Sequence, residues 1–299
     1  MAKEKSALTN LTKLYWPDEK ITKGDLIEYY RSMAPYILPY LKNRPLSLKR
    51  NPNGIRDAGF YHKDAGDIAP SWMKTADVYS PSSNKIVHYL VCNNLKSLLF
   101  IANLGCIEMN PWNSTMDKPD NPDYIVIDID PSDKNTFEQV IETAQALKEI
   151  MDELKIPGYC KTSGASGLHV YLPFKKKYSY EKVRDFAHVL ASLVNERIPG
   201  ITTLERSLAK RKKNQIYVDY LQNSKGQTLA SAYSARPRPG ATVSTPLEWK
   251  EVKRGLQPGD FTIKNIKKRV EKKGDLFRGV LGKGIDLVKT LKNIDRISG

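Results

Sequence analysis

Residues 124–130 read YIVIDID, and the fold and the chemistry of the chain both turn on them. Isoleucine, valine and tyrosine follow the turn-rich stretch DKPDNPD (117–123), which predicts a buried β-strand. Side chains alternate along a strand. Ile127 and Ile129 therefore face the core, while Asp128 and Asp130 emerge together on the opposite face at the C-terminal end. Two like charges about 7 Å apart on one face repel each other, and an apolar strand has no structural need of them. A divalent cation relieves the repulsion, and hard carboxylate oxygens suit Mg²⁺ or Mn²⁺. A third acid in a similar setting is Asp219 within IYVDYLQ, read as a strand over 216–222. Two paired acids and a third on another strand form the ligand set of a two-metal phosphoryl-transfer site. A DxD by itself also occurs in glycosyltransferases, nucleases and ordinary strand ends, and Asp219 alone reads equally well as an edge residue facing solvent.

Outward from this strand, Asn135 and Glu138 have the spacing of a helix cap and its box. Phe137, Val140, Ile141, Ala144, Leu147, Met151 and Leu154 give a helix over about 136–155, stopped by Pro157-Gly158. A strand over 159–163, a glycine turn and a strand over 168–174 follow. The turn, Gly164-Ala165-Ser166-Gly167, lets backbone N–H groups approach an anion. Ser163 and Ser166 add hydroxyls, and Lys161 adds a point charge. His169 and Tyr171 share one face of the second strand, which places His169 toward a cleft and not inside. A plain hairpin with a surface histidine is the alternative. Val183, Phe186, Ala187, Leu190, Leu193 and Val194 mark a second helix, on which His188 reads as structural. In the N-terminal third, Thr22 and Asp25 form a capping box for a helix that Pro35 and Pro39 should end or kink. LSLKR (46–50) reads as a strand. Leu95, Leu98, Leu99 and Ala102 mark a helix with Gly105 at its C-cap. Strands alternating with periodic helices argue for an α/β or α+β core.

The 299 residues carry 48 Lys and Arg against 33 Asp and Glu, a net charge of +15. From residue 247 onward, fourteen basic residues face seven acidic ones. The excess points to a polyanionic partner, most simply nucleic acid. The run Lys210-Arg211-Lys212-Lys213 is readable as a phosphate contact or as a solvated loop. No stretch of about 18 apolar residues exists, so no membrane partner is expected. The start, MAKEKSALTNLTKLYWP, has no apolar core of signal-peptide type, and the expected location is cytoplasmic and nucleoid-associated. Three scattered cysteines, Cys92, Cys106 and Cys160, form no CxxC pair and argue against zinc.

Together YIVIDIDP, KTSGASGLHVYLPF and YVDYLQN resemble the metal and nucleotide motifs of the archaeo-eukaryotic primase superfamily. LTNLTKLYWP, TKGDLIEYY, RPLSLKRNPNG, LGCIEMNPW and YSARPRPGATVSTPLEW extend the resemblance to the polymerase domain of the ligase D family, from about residue 8 to residue 250. It implies one primase-polymerase catalytic domain over 1–299, in stand-alone form, with 251–299 as its basic C-terminal part. The implied fold is an RRM-like sheet packed against an N-terminal α/β portion, with the active cleft between them. Asp128, Asp130 and Asp219 match the metal-binding and catalytic acids. Lys49, Arg50, Asn110, Ser163, Ser166, His169, Gln222 and Arg236 match nucleotide-site positions. Asn10, Lys13 and Lys23 match a pocket for a DNA 5′-phosphate, and Phe60 and Tyr61 match an aromatic pair that stacks on the template.

The resemblance implies a DNA-directed nucleotidyltransferase. It would fill short gaps and extend ends at breaks during non-homologous end joining, using two Mn²⁺ or Mg²⁺ ions and favouring ribonucleotides. Its partners would be 5′-phosphorylated DNA with breaks, gaps or overhangs, nucleoside triphosphates, a Ku protein and a separate DNA ligase. A replicative primase subunit and a non-catalytic end-binding factor are the rival readings. The chain departs from the family pattern twice. Ser166 stands where the family has Lys, and Asn110 where it often has His. Each change removes a charge-assisted contact worth about 1.5–3 kcal/mol, so either nucleotide affinity is lower or Lys161, Lys63 or another basic residue compensates.

Overall fold

A computed structural model describes residues 8–297 apart from 82, 208 and 213. Lys213, the last of the basic run, and residues 1–7 of the leading segment lie outside the described residues. The chain divides into two compact units. One comprises Met1–Trp112, Thr228–Ser244 and Phe261–Lys272, the other Asn113–Gln227, Thr245–Asp260 and Lys273–Gly299.

The first unit contains β1 (Leu14–Trp16), β2 (Ile21–Thr22), α1 (Lys23–Leu41), β3 (Leu46–Arg50), β4 (Phe60–His62), β5 (Thr75–Ser80), β6 (Lys85–Leu90), α2 (Leu95–Asn103) and β7 (Cys106–Pro111). Strands β4, β3 and β7 form an antiparallel sheet, while β1–β2 and β5–β6 are hairpins. The Thr22–Asp25 capping box starts α1 as the sequence predicts. Pro35 and Pro39 do not end it; the helix runs on to Leu41. Its buried face explains the difference. Tyr29, Tyr30, Met33, Ala34, Ile37, Tyr40 and Leu41 are all in the core, and their burial outweighs the backbone bonds two prolines forfeit. Tyr29 and Tyr30 also donate to the carbonyls of Tyr233 and Ile107. Helix α2 is capped by Asn94, buries Leu98, Ile101 and Ala102, and is followed by Gly105 at φ +80°. A Cβ there would lie 2.9 Å from the Pro52 backbone.

The second unit contains β8 (Tyr124–Asp130), α3 (Phe137–Glu153), β9 (Tyr159–Thr162), β10 (Leu168–Pro173), α4 (Tyr180–Arg197), β11 (Thr202–Thr203), β12 (Ile216–Asp219) and β13 (Pro246–Leu247). Two further helices follow, α5 (Ile266–Lys273), which lies in the first unit through Lys272, and α6 (Leu287–Ile297) in the second. The six strands of the second unit order as β11-β12-β8-β10-β9-β13, antiparallel except for β11 with β12. Helices α3 and α4 pack on each other and on one face of this sheet. Ile125, Ile127, Ile129, Leu168, Val170, Leu172 and Val218 are fully buried, as the alternation in YIVIDID requires. Toward the start of β8 the opposite face carries Tyr124 and Tyr171, with Phe277 edge-on to Tyr171.

Three local readings change. The cap of α3 is Thr136 with Gln139 as its box, one residue later than expected, because Asn135 instead closes the preceding turn by accepting from Ser132 N–H. The strand expected over 216–222 stops at Asp219. The carboxylate of Asp219 accepts from Leu221 N–H at 2.7 Å, an Asx turn that leads into a 3₁₀ turn over Leu221–Asn223. Beyond the end of β12 the ladder is completed by a side chain, since Asn223 bonds both Val126 N–H and Val126 C=O. His169, read as facing a cleft, is only 3% exposed, because Lys161 and Asp128 flank it in register.

Gly167 is fixed by sterics, since a Cβ there would fall 2.2 Å from the carbonyl oxygen of Ile129. Gly167→Ala should therefore displace the turn from β8 and destabilise the protein by about 1–3 kcal/mol, measured as a lowered midpoint in thermal or urea unfolding.

Candidate active site

Strand register assembles the site. On the face of the six-stranded sheet away from the helices, Asp219 lies opposite Asp128, Asp128 opposite His169, and His169 opposite Lys161. Asp130 follows Asp128 on the same face and lies opposite Tyr217. Directly opposed residues in an antiparallel pair share a face with Cβ atoms about 4.5–5.5 Å apart, so these side chains form one polar row and the start of another. All three acids foreseen from sequence are brought together, with His169 beside them.

Asp128 is largely covered, and its Oδ1 is 3.4 Å from His169 Nε2. The other ring nitrogen, Nδ1, lies 2.7 Å from Lys161 Nζ. Asp219 is held from two sides, by Leu221 N–H and by Gln222 Nε2 at 3.0 Å. Gln222 thus joins the site through the turn and not through the strand. Asp130 sits exposed at the strand end, yet surrounding protein desolvates its carboxyl and raises its pKa. The Arg211 guanidinium opposes the rise, and the Asp219 charge adds to it. Arg211 stacks over Tyr217 with 4.5 Å to the ring centroid and donates to the Glu205 carbonyl, which fixes one residue of the basic run beside the acids. Among the described residues, no three His, Cys, Asp or Glu side chains already form a metal-holding group.

The glycine turn is self-bonded. Ser163 Oγ accepts from the N–H groups of Ala165 and Gly167, each at 3.0 Å, and Ser163 N–H donates to Gly167 C=O. Gly164 takes φ +72°, and Ser166 is exposed.

The remaining candidates lie in the first unit. Lys49 is in register with Tyr61 on one side and Glu108 on the other, and its amine donates to Gly59 C=O. Arg236 forms a 2.7 Å ion pair with Glu108, which is buried. Glu108 was not singled out from the sequence. An acid within the apolar strand CIEMNP is the same signal that marked Asp219. Asn110 is buried, lies opposite Ser47 and donates to its carbonyl. Lys49 and Arg50 point to opposite faces of β3, so they do not form one basic site. Arg50 bonds Leu104 C=O and His62 Nδ1 instead. Phe60 and Tyr61 are 47% and 60% exposed, and as neighbours on β4 they also take opposite faces. Phe60 lies under Arg50, and Tyr61 lies beside Lys49.

Asn10, Lys13 and Lys23 do come together. Asn10 adopts φ +54°, its carbonyl accepts from Lys13 N–H, and the carbonyl of Lys13 accepts from Lys23 N–H. Lys23 is buried at the start of α1, and its pKa is lowered first by desolvation and then by the Lys13 charge. Lys13 bonds the Asn53 side chain, and Lys23 Nζ is 3.4 Å from Thr9 Oγ1. Two mutually repelling amines at a helix N-terminus suit an anion.

Comparison with known proteins identifies the family. The family model of the LigD primase-polymerase domain matches residues 22–277. The chain is 34% identical over 274 residues to the bifunctional non-homologous end joining protein LigD of Bacillus subtilis, covering 91% of the chain and 44% of that protein. It is 29% identical over 251 residues to the multifunctional LigD of Mycolicibacterium smegmatis, covering 83% of the chain and 32% of that protein. The chain therefore spans less than half the length of these relatives. Among solved structures, the polymerase domain from Mycobacterium tuberculosis ligase D in complex with DNA aligns with a TM-score of 0.85 at 26% identity, covering 93% of the chain and 99% of that structure.

The raised pKa of Asp130 means that its ionised form is disfavoured in the folded protein. Its contribution to stability is present below the ordinary carboxylate pKa and is lost as the pH rises through the higher folded value. In metal-free buffer at pH 7, Asp130→Asn should raise the thermal midpoint, and the gain should vanish when the pH is taken below the ordinary carboxylate range. Solvent screening at the strand end keeps the effect small.

Proposed function

The chain belongs to the LigD primase-polymerase family, and we propose that it is a DNA-directed nucleotidyltransferase that fills short gaps and extends ends at DNA breaks in non-homologous end joining. The observation that carries this reading is the set of three carboxylates, Asp128, Asp130 and Asp219, held on two paired strands beside His169 in a chain of net charge +15. In the reaction a primer 3′-hydroxyl oxygen bonds to the α-phosphorus of a nucleoside triphosphate, the bond from that phosphorus to the bridging oxygen breaks, and pyrophosphate leaves.

The donor set fits hard divalent cations. It is all carboxylate oxygen, and the crowding of Asp130 by burial and by Asp219 is relieved by bound positive charge. Asp128, Asp130 and Asp219 would hold two ions, Mn²⁺ or Mg²⁺. Such ions supply charge neutralisation at the phosphates and lower the pKa of the attacking hydroxyl.

The chain's own residues bind and orient. His169 presents Nε2 toward Asp128, where it would donate to a phosphate oxygen bound beside it. Ser163 fixes the shape of the glycine turn by accepting from the N–H groups of Ala165 and Gly167, two donors the turn would otherwise offer to an anion. Gln222 steadies Asp219. Lys49, Arg236 and Asn110 match nucleotide-site positions of the family, and within their own unit Glu108 pairs with the Arg236 guanidinium. Arg50, on the opposite face of β3, is a weaker candidate for the same role. Ser166 offers a hydroxyl where the family has an ammonium. Lys161 does not replace that charge directly, because its buried amine is engaged by His169. Lys13, Lys23 and Asn10 would grip a 5′-phosphate across a gap, and Tyr61 or Phe60 offers a stacking surface worth about 1–3 kcal/mol per base. A preference for ribonucleotides and cooperation with a Ku protein and a DNA ligase follow from the same family reading.

Primer extension on a 5′-phosphorylated gapped duplex with Mn²⁺ or Mg²⁺ is the direct test. Asp128→Ala or Asp130→Ala should cut extension by about 10³-fold or more while leaving DNA affinity within about twofold. Extension that survives either change would refute the carboxylate site. Removing the 5′-phosphate should weaken binding about tenfold, and the double change Lys13→Ala with Lys23→Ala should abolish that difference. Equal affinity of the unaltered protein for both duplexes would remove the phosphate pocket from the proposal.

A further inference from the structure

Lys161 is 0% exposed, the most thoroughly enclosed charged residue in the sheet that carries the acids. Burial of an ammonium is unfavourable without specific compensation, so a core position in a short strand is costly for lysine. Its neighbours in β9, Cys160 and Thr162, are small and belong to the opposite face, and an apolar residue would fill its place more cheaply. The compensation on view is directional. Nζ lies 2.7 Å from Nδ1 of His169, and the Tyr171 ring centroid is 5.5 Å from Nζ.

Register decides what this amine can reach. Across the sheet the row runs Asp219, Asp128, His169, Lys161 and Pro246. The imidazole stands between Lys161 and the carboxylates, so Lys161 acts on the site through His169. An ammonium has three donors and no lone pair. Facing it, Nδ1 must present its lone pair, and the ring proton is then carried by Nε2. That nitrogen is 3.4 Å from Asp128 Oδ1.

We infer that Lys161 is a positioning residue. It holds His169 in the Nε2–H form and in one ring orientation, so that the imidazole always offers a donor to the acid row and to a phosphate oxygen bound there. The role of His169 toward phosphate rests on the function proposed above; the Lys161–His169 relation does not. It also gives a reason for the lysine's identity. Methionine would fill much of the same volume without supplying that donor to Nδ1.

The test uses full-length protein labelled with ¹⁵N-histidine. Four histidines are present, and the His169 signals are identified by their loss in His169→Gln. In the unaltered protein at neutral pH, Nδ1 of His169 should show the shift of an unprotonated, hydrogen-bonded nitrogen, and Nε2 that of a protonated one. The opposite pattern overturns the inference, with no variant needed. In Lys161→Met the unprotonated Nδ1 signal should move or be lost. The nucleotide KM should rise about tenfold, as expected for one misdirected charge-assisted contact, with DNA affinity unchanged. A purely structural lysine would lower the melting temperature of Lys161→Met yet leave its His169 shifts and its KM as they were, and that result also overturns the inference. If the unaltered protein adds no nucleotides but shows the Nε2–H pattern, the polymerase reading fails and the Lys161–His169 relation stands.

Discussion

The register of β8 between β10 and β12 is the constraint on which the remainder of the structure depends. One face of β8 is closed by α3 and α4 over three fully buried isoleucines, Ile125, Ile127 and Ile129. Complete burial of such a side chain is worth about 1.5–3 kcal/mol, so these three resist a one-residue slip by several kcal/mol. The same slip would turn Asp128 and Asp130 into the helical layer as uncompensated charges. The apolar face therefore fixes the polar one. Because β12, β8, β10 and β9 pair antiparallel in turn, a single alignment delivers Asp219, Asp128, His169 and Lys161 to one row.

Charge in this protein is concentrated by sign. Asp128, Asp130 and Asp219 crowd one end of the second unit's sheet, while Lys13 and Lys23 crowd the start of α1 in the first unit. Burial first, and then like charge, raises the pKa of Asp130 and lowers that of Lys23, so each shift disfavours the charged form. Such arrangements cost stability in the absence of ligand and are retained where an oppositely charged ligand offsets the cost. Glu108 and Arg236 illustrate the contrary case. They are paired at 2.7 Å, with the acid buried, which immobilises the guanidinium and leaves its geometry independent of any ligand.

Much of this was legible in the sequence wherever a period of 2 or 3.6 was unbroken. Strands β3 and β8 have the boundaries read from LSLKR and YIVIDID, and the Thr22 cap and Gly105 stop follow local hydrogen-bond rules that act over four residues. The departures occur where distant packing outweighs a local rule. Helix α1 continues through two prolines because its buried face is secured by contacts with Ile107 and Tyr233, far away in sequence. His169 alternates to the expected face, yet whether that face is open at its row depends on neighbours across the sheet. The opposite orientations of Lys49 and Arg50 follow from strand alternation alone, and a family pattern that matches both conceals that difference.

The end of β12 shows how closely fold and chemistry are joined. Asp219 is the last residue of the strand because its own carboxylate accepts from Leu221 N–H and turns the chain. That turn brings Gln222 back to the second oxygen and delivers Asn223 to Val126, where it substitutes for the missing strand. A residue that only bound metal could be moved or replaced without consequence for the sheet. Asp219 cannot, because it terminates the strand and thereby sets its own orientation. Any cation held there must share a carboxylate already aimed by Leu221 and Gln222. The spacing from Asp219 to Asn223 is thus a single device, in which the third acid, the amide that steadies it and the side chain that closes the ladder are specified together.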